Sequence, residues 1–190
     1  MDQVTEYSSS GPRPVQGQRI PRATQRFLGV IAPHSPADPV PGKVRIEHDA
    51  WQIILAMLEQ VGIVRHGPLW GSYADALAMV TDAGHSGYRQ ALPLPFQGLH
   101  LDPTYILGWS DCLSNYGGND TDWIGHWLIL PDNQVADDLA VQQWLAAAAE
   151  LGVFTERHFV VVVGTDAEQV RGRAYLYQQR KATEIALSVV

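Results

Sequence analysis

The chain has 190 residues, of which 46% are hydrophobic and 17% charged, with a formal net charge of -7. This length suits one domain with an extension, and this composition excludes the weakly hydrophobic, highly charged class of disordered proteins. A single cysteine, Cys112, excludes an internal disulfide framework and a zinc site built from several cysteines. The chain shows neither a secretory signal pattern nor an apolar run long enough to span a membrane, so we expect a cytoplasmic protein without membrane contact.

The N-terminal part differs from the rest in proline content and charge. Seven of the twelve prolines lie within residues 1–41, and because proline lacks an amide donor and restricts the residue before it, they predict an extended arm over residues 1–45. At most a short strand is expected there, at residues 27–31, and a disordered tail explains the same composition. The remaining residues, 46–190, are predicted to form one globular domain.

Charge separates the arm from the domain as well. Residues 1–45 hold six basic and three acidic side chains, a net charge of +3, which leaves -10 for residues 46–190. An acidic body repels phosphate, so nucleic acid is not an expected partner of the domain. Four arginines of the arm are candidate contacts for a protein partner or a second copy of the chain: Arg13, Arg19, Arg22 and Arg26.

The first half of the domain predicts two helices and a long connection. Apolar residues recur at helical spacing over residues 49–61, and Gly62 ends this first helix. Ser72 and Asp75 approximate a capping box, which predicts a second helix that ends at Gly84. Residues 84–104 are rich in glycine and proline and predict an irregular connection, long enough to have a function of its own.

The next region predicts a hairpin followed by a helix. Apolar runs at residues 105–109 and 126–130 favour two antiparallel strands, joined by a turn at residues 115–120. Helical spacing over residues 137–151 predicts the third helix.

The last region predicts a buried strand and a terminal hairpin. The β-branched run at residues 159–163 suits a central strand, after which Thr165 is expected to cap a turn or short helix. Alternating residues predict a hairpin of residues 174–178 and 183–190, with its turn at residues 179–182. The whole pattern indicates a mixed α/β fold, with a mixed or mainly antiparallel sheet flanked by about three helices.

One set of residues has the composition of a catalytic site. Cys112 precedes a turn and His126 lies on the following predicted strand, so the imidazole is placed to take the thiol proton, while Asp122 is placed to orient the ring. These three residues define a possible cysteine-dependent hydrolase or transferase. A buried, unreactive thiol and a structural histidine explain the same residues.

Metal and cofactor sites are less well supported. His100, Asp102 and His158 have the residue types of an iron site, but the predicted helix between them is unlike an iron oxygenase barrel. Carboxylates and amides near the predicted turn lack the spacing of a calcium loop, and no glycine-rich phosphate loop is present. We therefore predict no metal and no cofactor.

Three tryptophans near the predicted hairpin are candidate partner contacts. Trp109, Trp123 and Trp127 have three alternative roles: packing in the core, stacking on a planar or sugar-like ligand in a pocket, or anchoring an interface. Aromatic residues are enriched at interface hot spots. Together with the arginine-bearing arm, they favour a non-enzymatic interaction protein or assembly subunit over the cysteine enzyme.

Overall fold

A computed structural model describes residues 40–85, 103–117, 121–135, 137–150 and 157–190. Its seven strands are β1 Lys43–Ile46, β2 Arg65–Ala74, β3 Leu77–Ala83, β4 Asp122–Ile129, β5 Phe159–Asp166, β6 Gln169–Gln178 and β7 Lys181–Val189. Its three α-helices are α1 His48–Ala56, α2 Pro103–Gly117 and α3 Asp138–Glu150, and a 3₁₀ turn at Met57–Glu59 follows α1. Within these ranges, no helix is long and apolar enough to cross a membrane.

The strands close into a barrel in the order β1, β3, β2, β4, β5, β6, β7. The short strand β1 completes the ring, because it pairs in parallel with both β3 and β7. Strands β4 and β5 are also parallel, whereas the other neighbours in this ring are antiparallel. The mixed α/β composition is confirmed, but the sheet is a closed barrel and not a sheet flanked by helices.

The barrel interior is filled with apolar side chains. Phe159, Val161 and Val163 of β5 point inward, where they share one buried cluster with side chains of β1 to β4 and β6. Ala50 and Ile54 of α1 belong to the same cluster. Helix α1 therefore contributes to the barrel core.

The other two helices cover the outside of the barrel. The outward side chains of β5, Val160 and Val162, are buried beneath Trp144 and Leu145 of α3. This burial on both faces explains why residues 159–163 of β5 are continuously apolar. Helix α2 covers a different part of the wall, where Ile106 packs with Trp70 and Trp123.

The structure corrects the prediction of a helix from Ser72 to Gly84. These residues form most of a hairpin between β2 and β3, whose turn includes Asp75 at a φ of +53°. Ala78 and Val80 are buried in the barrel, as alternation along a strand requires. The expected first helix is also shorter, since α1 ends at Ala56.

The region of residues 105–117 is corrected as well. Residues 105–109 belong to helix α2 and not to a strand, and the predicted turn at residues 115–120 begins inside the same helix. Thr165 lies within β5, and the chain turns at Ala167 and Glu168, both with positive φ. No capped helix follows it.

Several predictions in the second half are confirmed. Strand β4 contains residues 126–129 of the predicted run, α3 matches the third helix, and β5 contains the predicted central strand. The terminal hairpin is formed by β6 and β7. The short strand proposed at residues 27–31 and most of the connection at residues 84–104 lie outside the described residues.

Candidate functional site

Helix α2 is held on the barrel wall by one buried face. The Trp70 indole nitrogen donates a hydrogen bond of 3.0 Å to the Ser110 hydroxyl, and both residues are buried. Ile106 lies in the same buried cluster, next to Trp123. Since residues three and four positions apart share a helix face, Ile106 and Ser110 fix which side of α2 faces outward.

One flank of α2, next to its buried face, carries two exposed aromatic residues. Within the described ranges, two large aromatic side chains are well exposed: Trp109 at 40% and Tyr116 at 88%. Trp109 also extends a stack of rings, because its ring centroid lies 6.2 Å from that of Tyr105 and 5.9 Å from that of Trp70. Tyr105 in turn stacks on His85 at 5.8 Å. The stack supports the Trp109 ring at the surface.

Four residues form what we call the aromatic stripe of α2: Tyr105, Trp109, Cys112 and Tyr116. Their spacing of four, three and four residues places them along one side of the helix. Cys112 is exposed, and Tyr105 is partly buried. The only charged side chain in α2 is Asp111. The stripe is therefore an uncharged surface on a protein with a net charge of -7.

The residues of the predicted catalytic set lie in different environments. Cys112 is exposed on α2, whereas His126 on β4 is fully buried. Cys112 takes part in no hydrogen bond within the described part of the chain, so no hydrogen bond joins its thiol to the His126 imidazole. Asp122 is partly buried at the start of β4, and its carboxylate accepts a hydrogen bond from the Trp123 amide.

His126 is surrounded by three aromatic rings, an arrangement that the sequence did not indicate. Its Nε2 lies 3.4 Å from Nδ1 of His66 on β2, and the two rings stack. The rings of Trp123 and Trp144 lie on other sides of it, each with its centroid 6.1 Å away. Burial, and then the neighbouring His66, lower the pKa of His126 well below 6.5, while a hydrogen bond with the Gly125 backbone opposes them. This environment favours a neutral imidazole.

The three candidate tryptophans also differ in exposure. Trp123 and Trp127 are buried, and their indole nitrogens donate hydrogen bonds of 2.8 Å to the Gly125 carbonyl and 2.7 Å to the Gly84 carbonyl. Trp109 is the member of this set that a partner can reach in the described structure. The four arm arginines lie outside the described residues.

The residues of the predicted iron site are not brought together in the described structure. His158 is buried, and its Nε2 lies 3.0 Å from the Trp123 carbonyl oxygen. His100 and Asp102 lie outside the described ranges. Among residues that are described, no group of three or more histidine, cysteine, aspartate or glutamate side chains is arranged to hold a metal.

A charged cleft of about 520 Å³ lies where α3 begins beside β6 and β7. Its charged lining residues are Asp137, Asp166, Arg171, Arg173 and Glu184. The cleft cannot be predicted from the sequence, because its residues come from separate elements of the chain.

Both arginines of the cleft already form ion pairs with carboxylates. Arg173 donates to Glu184 at 2.7 Å and to Asp138 at 2.8 Å, and Arg171 pairs with Asp166 at 3.2 Å. The hydrogen bond with Glu184 is the main reason that the pKa of Arg173 is raised. An anionic ligand would have to displace these carboxylates, so the cleft is a weak candidate for anion binding.

Comparisons with known proteins give a likeness of fold alone. No family model matches the chain, and no curated protein matches it. Among solved structures, the chain is similar to the solution structure of protein DSY2949 from Desulfitobacterium hafniense, a structural genomics target. The TM-score is 0.58 at 12% sequence identity, and the match covers 77% of this chain and 92% of that one. At this identity, the likeness supports the arrangement of strands and helices, and no activity can be inferred from it.

Proposed function

We propose that this protein is a non-enzymatic subunit of a protein assembly, which contacts its partner through the arginines of the N-terminal arm and the exposed surface of α2. The observation that carries the proposal is the position of Trp109 and Tyr116, two exposed aromatic side chains on one helix. Tryptophan and tyrosine are enriched at interface hot spots because they bury a large surface with few rotatable bonds.

The charge distribution supports the arm as a second contact. Residues 1–45 carry a net charge of +3, but Lys43 and Arg45 belong to strand β1 of the barrel. Residues 1–42 alone hold four arginines and three acids, a net charge of +1, and the rest of the chain carries -8. Opposite charges on arm and body attract the arm of one copy to the body of another, or to a different acidic protein, most strongly at low salt. Arg13, Arg19, Arg22 and Arg26 are the basic residues among residues 1–42.

The cysteine enzyme has less geometric support. A thiol nucleophile needs a base within hydrogen-bonding reach, and a base needs access to the reacting group. Cys112 is exposed without such a partner in the described structure, and His126 is enclosed by His66, Trp123 and Trp144. The hydrolase or transferase therefore stays a prediction from the sequence.

Light scattering coupled to size exclusion tests the proposal on the full chain at 50 mM and 500 mM salt. We expect a mass above that of one chain at low salt, and a lower mass when Arg13, Arg19, Arg22 and Arg26 are all replaced by glutamine. Replacing the exposed Arg171 and Arg180 by glutamine is the matched control, because it removes cations outside the arm. A monomer at every protein concentration and both salt concentrations would contradict the proposal.

A further inference from the structure

We propose that the aromatic stripe of α2 is a self-association surface, on which the α2 helices of two copies pack antiparallel about a two-fold axis. This inference rests on the proposed assembly function and names one partner, a second copy of the chain. It concerns Tyr105, Trp109, Cys112 and Tyr116, and it does not involve the N-terminal arm.

The spacing of the stripe suits a two-fold pairing. Steps of four, three and four residues are the same in both directions along α2. An antiparallel copy therefore places Tyr105 opposite Tyr116 of the second copy, and Trp109 opposite its Cys112. Alternating steps of three and four are the usual seam between packed helices, and a self-complementary patch is what a two-fold interface requires. Antiparallel packing also aligns the two helix dipoles favourably.

Charge favours this surface over the rest of the body. Two copies with a net charge of -7 each repel one another, and contact is least unfavourable where charged groups are few. The single charged residue of α2 is Asp111, outside the stripe, and the positions before Trp109 and Tyr116 are Gly108 and Asn115. A Cβ at Gly108, next to Trp109 in the chain, would meet nothing within 4 Å, so the helix surface is open at this position.

The exposed area predicts a weak dimer. A Trp or Tyr side chain has roughly 150–250 Å² to bury. With Trp109 40% and Tyr116 88% exposed, the two residues offer on the order of 250 Å² per copy and 500 Å² per pair. Even with flanking residues, this falls below the roughly 1,200 Å² of a standard stable interface. The dimer should therefore form reversibly and depend on protein concentration.

The single cysteine provides a direct test. A short bismaleimide is added to the reduced full chain in 500 mM salt, where contacts of the arm are screened but apolar contacts are not. We expect a covalent dimer whose yield rises with protein concentration and falls at least about fivefold in Tyr116→Ser. Leu139→Ser is the matched control, since it removes an exposed apolar side chain, 66% exposed, from α3. Its yield should equal that of the unchanged chain.

Three further measurements make the result specific. The labelling rate of Cys112 by a monofunctional maleimide should be similar in all three proteins, which shows that Tyr116→Ser changes association and not thiol access. Sedimentation velocity at the same salt concentration should show a dimer that Trp109→Ser also weakens. Circular dichroism confirms that each variant is folded.

The outcomes separate this inference from the proposed function. A readily labelled Cys112 with no cross-linked dimer, or a dimer equally abundant in Tyr116→Ser, overturns the inference; so does a native Cys112 that maleimide cannot reach. Assembly that needs low salt and the arm arginines would still support the proposed function. Conversely, a Cys112 dimer that persists in 500 mM salt, without any effect of the arm at low salt, supports the inference and removes the arm from the proposal.

Discussion

Nδ1 of His66 and Nε2 of His126 lie 3.4 Å apart on the adjacent strands β2 and β4. Because His126 is fully buried and its pKa lies well below 6.5, the folded protein resists protonation of this ring. The unfolded chain takes up the proton near its ordinary pKa, about 6.5. Between that pH and the lower folded pKa, the unfolded state binds more protons, so acid favours unfolding.

We therefore expect the free energy of unfolding to be highest above pH 6.5 and to fall as the pH is lowered through this window. The contribution of one proton is at most about 1.4 kcal/mol per pH unit. Urea unfolding at pH 7.5, 6.5 and 5.5 measures the slope, and His126→Gln should reduce it. An equal slope in both proteins would mean that other groups cause the pH dependence.

Arg65 ties three segments together at one end of the barrel. Its guanidinium donates to the carbonyl oxygens of Met57 and Leu130 at 3.1 and 2.6 Å, and to the Asn133 side-chain oxygen at 2.6 Å. Burial lowers the pKa of Arg65, although nearby Asp132 partly opposes this shift. These contacts join the 3₁₀ turn to the segment that follows β4.

Arg65→Met should lower the free energy of unfolding by about 2–4 kcal/mol, because it keeps an unbranched apolar stem but leaves three acceptors without this donor. Chemical denaturation at pH 7 measures the change. Arg171→Met serves as the control, since its exposed ion pair with Asp166 should contribute less than about 1 kcal/mol. Similar losses in both variants would argue against a special role for Arg65.

Gly67 lies where strand β2 approaches the end of β3. A Cβ on this residue would come within 1.8 Å of the Gly84 carbonyl oxygen, which also accepts the hydrogen bond from Trp127. Gly67→Ala must therefore move backbone and should cost about 3 kcal/mol. Gly42→Ala, where a Cβ meets nothing within 4 Å, should change stability by less than about 0.5 kcal/mol. Thermal unfolding measures the loss of stability in each variant. A Gly67→Ala protein as stable as the unchanged chain would show that the backbone near Gly84 can move at little cost.

Ser110 connects α2 to the barrel wall. Ser110→Ala leaves the buried Trp70 indole N–H without its acceptor and should lower the free energy of unfolding by about 1–3 kcal/mol. Asp111→Ala, the adjacent exposed position, should have little effect. Denaturation curves followed by tryptophan fluorescence report the difference. Equal stability of the two variants would show that apolar packing alone holds the helix.

Local patterns predicted the C-terminal half better than the first half. The helical spacing over residues 138–150 and the β-branched run at residues 159–163 agree with the structure. The terminal hairpin also agrees, although β6 begins at Gln169 and β7 at Lys181, both earlier than predicted. The sequence of the β2–β3 hairpin predicts a helix because Tyr73, Leu77 and Val80 are spaced as on a helix. The chain reverses instead through the left-handed conformation of Asp75, so these residues lie on two paired strands. A short apolar run such as residues 105–109 fits a strand or a helix equally well.

Only part of the candidate surface could be predicted from the sequence. Trp109 was identified as a possible anchor, but its relation to Cys112 and Tyr116 appears only once residues 103–117 are known to be helical. The pairing of His66 with His126 depends on the alignment of β2 beside β4, and these strands are separated in the chain by β3 and α2. Nothing in the spacing of the two histidines predicts that alignment.

The position of β1 has a consequence for folding. This four-residue strand is flanked by β3 on one side and by β7 on the other, and Lys43 is aligned with Ala186, roughly 140 residues later. The pairing of β1 with β7, which closes the ring, requires the C-terminal hairpin to form first. Bringing these two strands together closes a loop of that length, which costs conformational entropy. During synthesis, the exposed edge of β1 therefore remains a possible docking point for the wrong strand until the final segment has emerged.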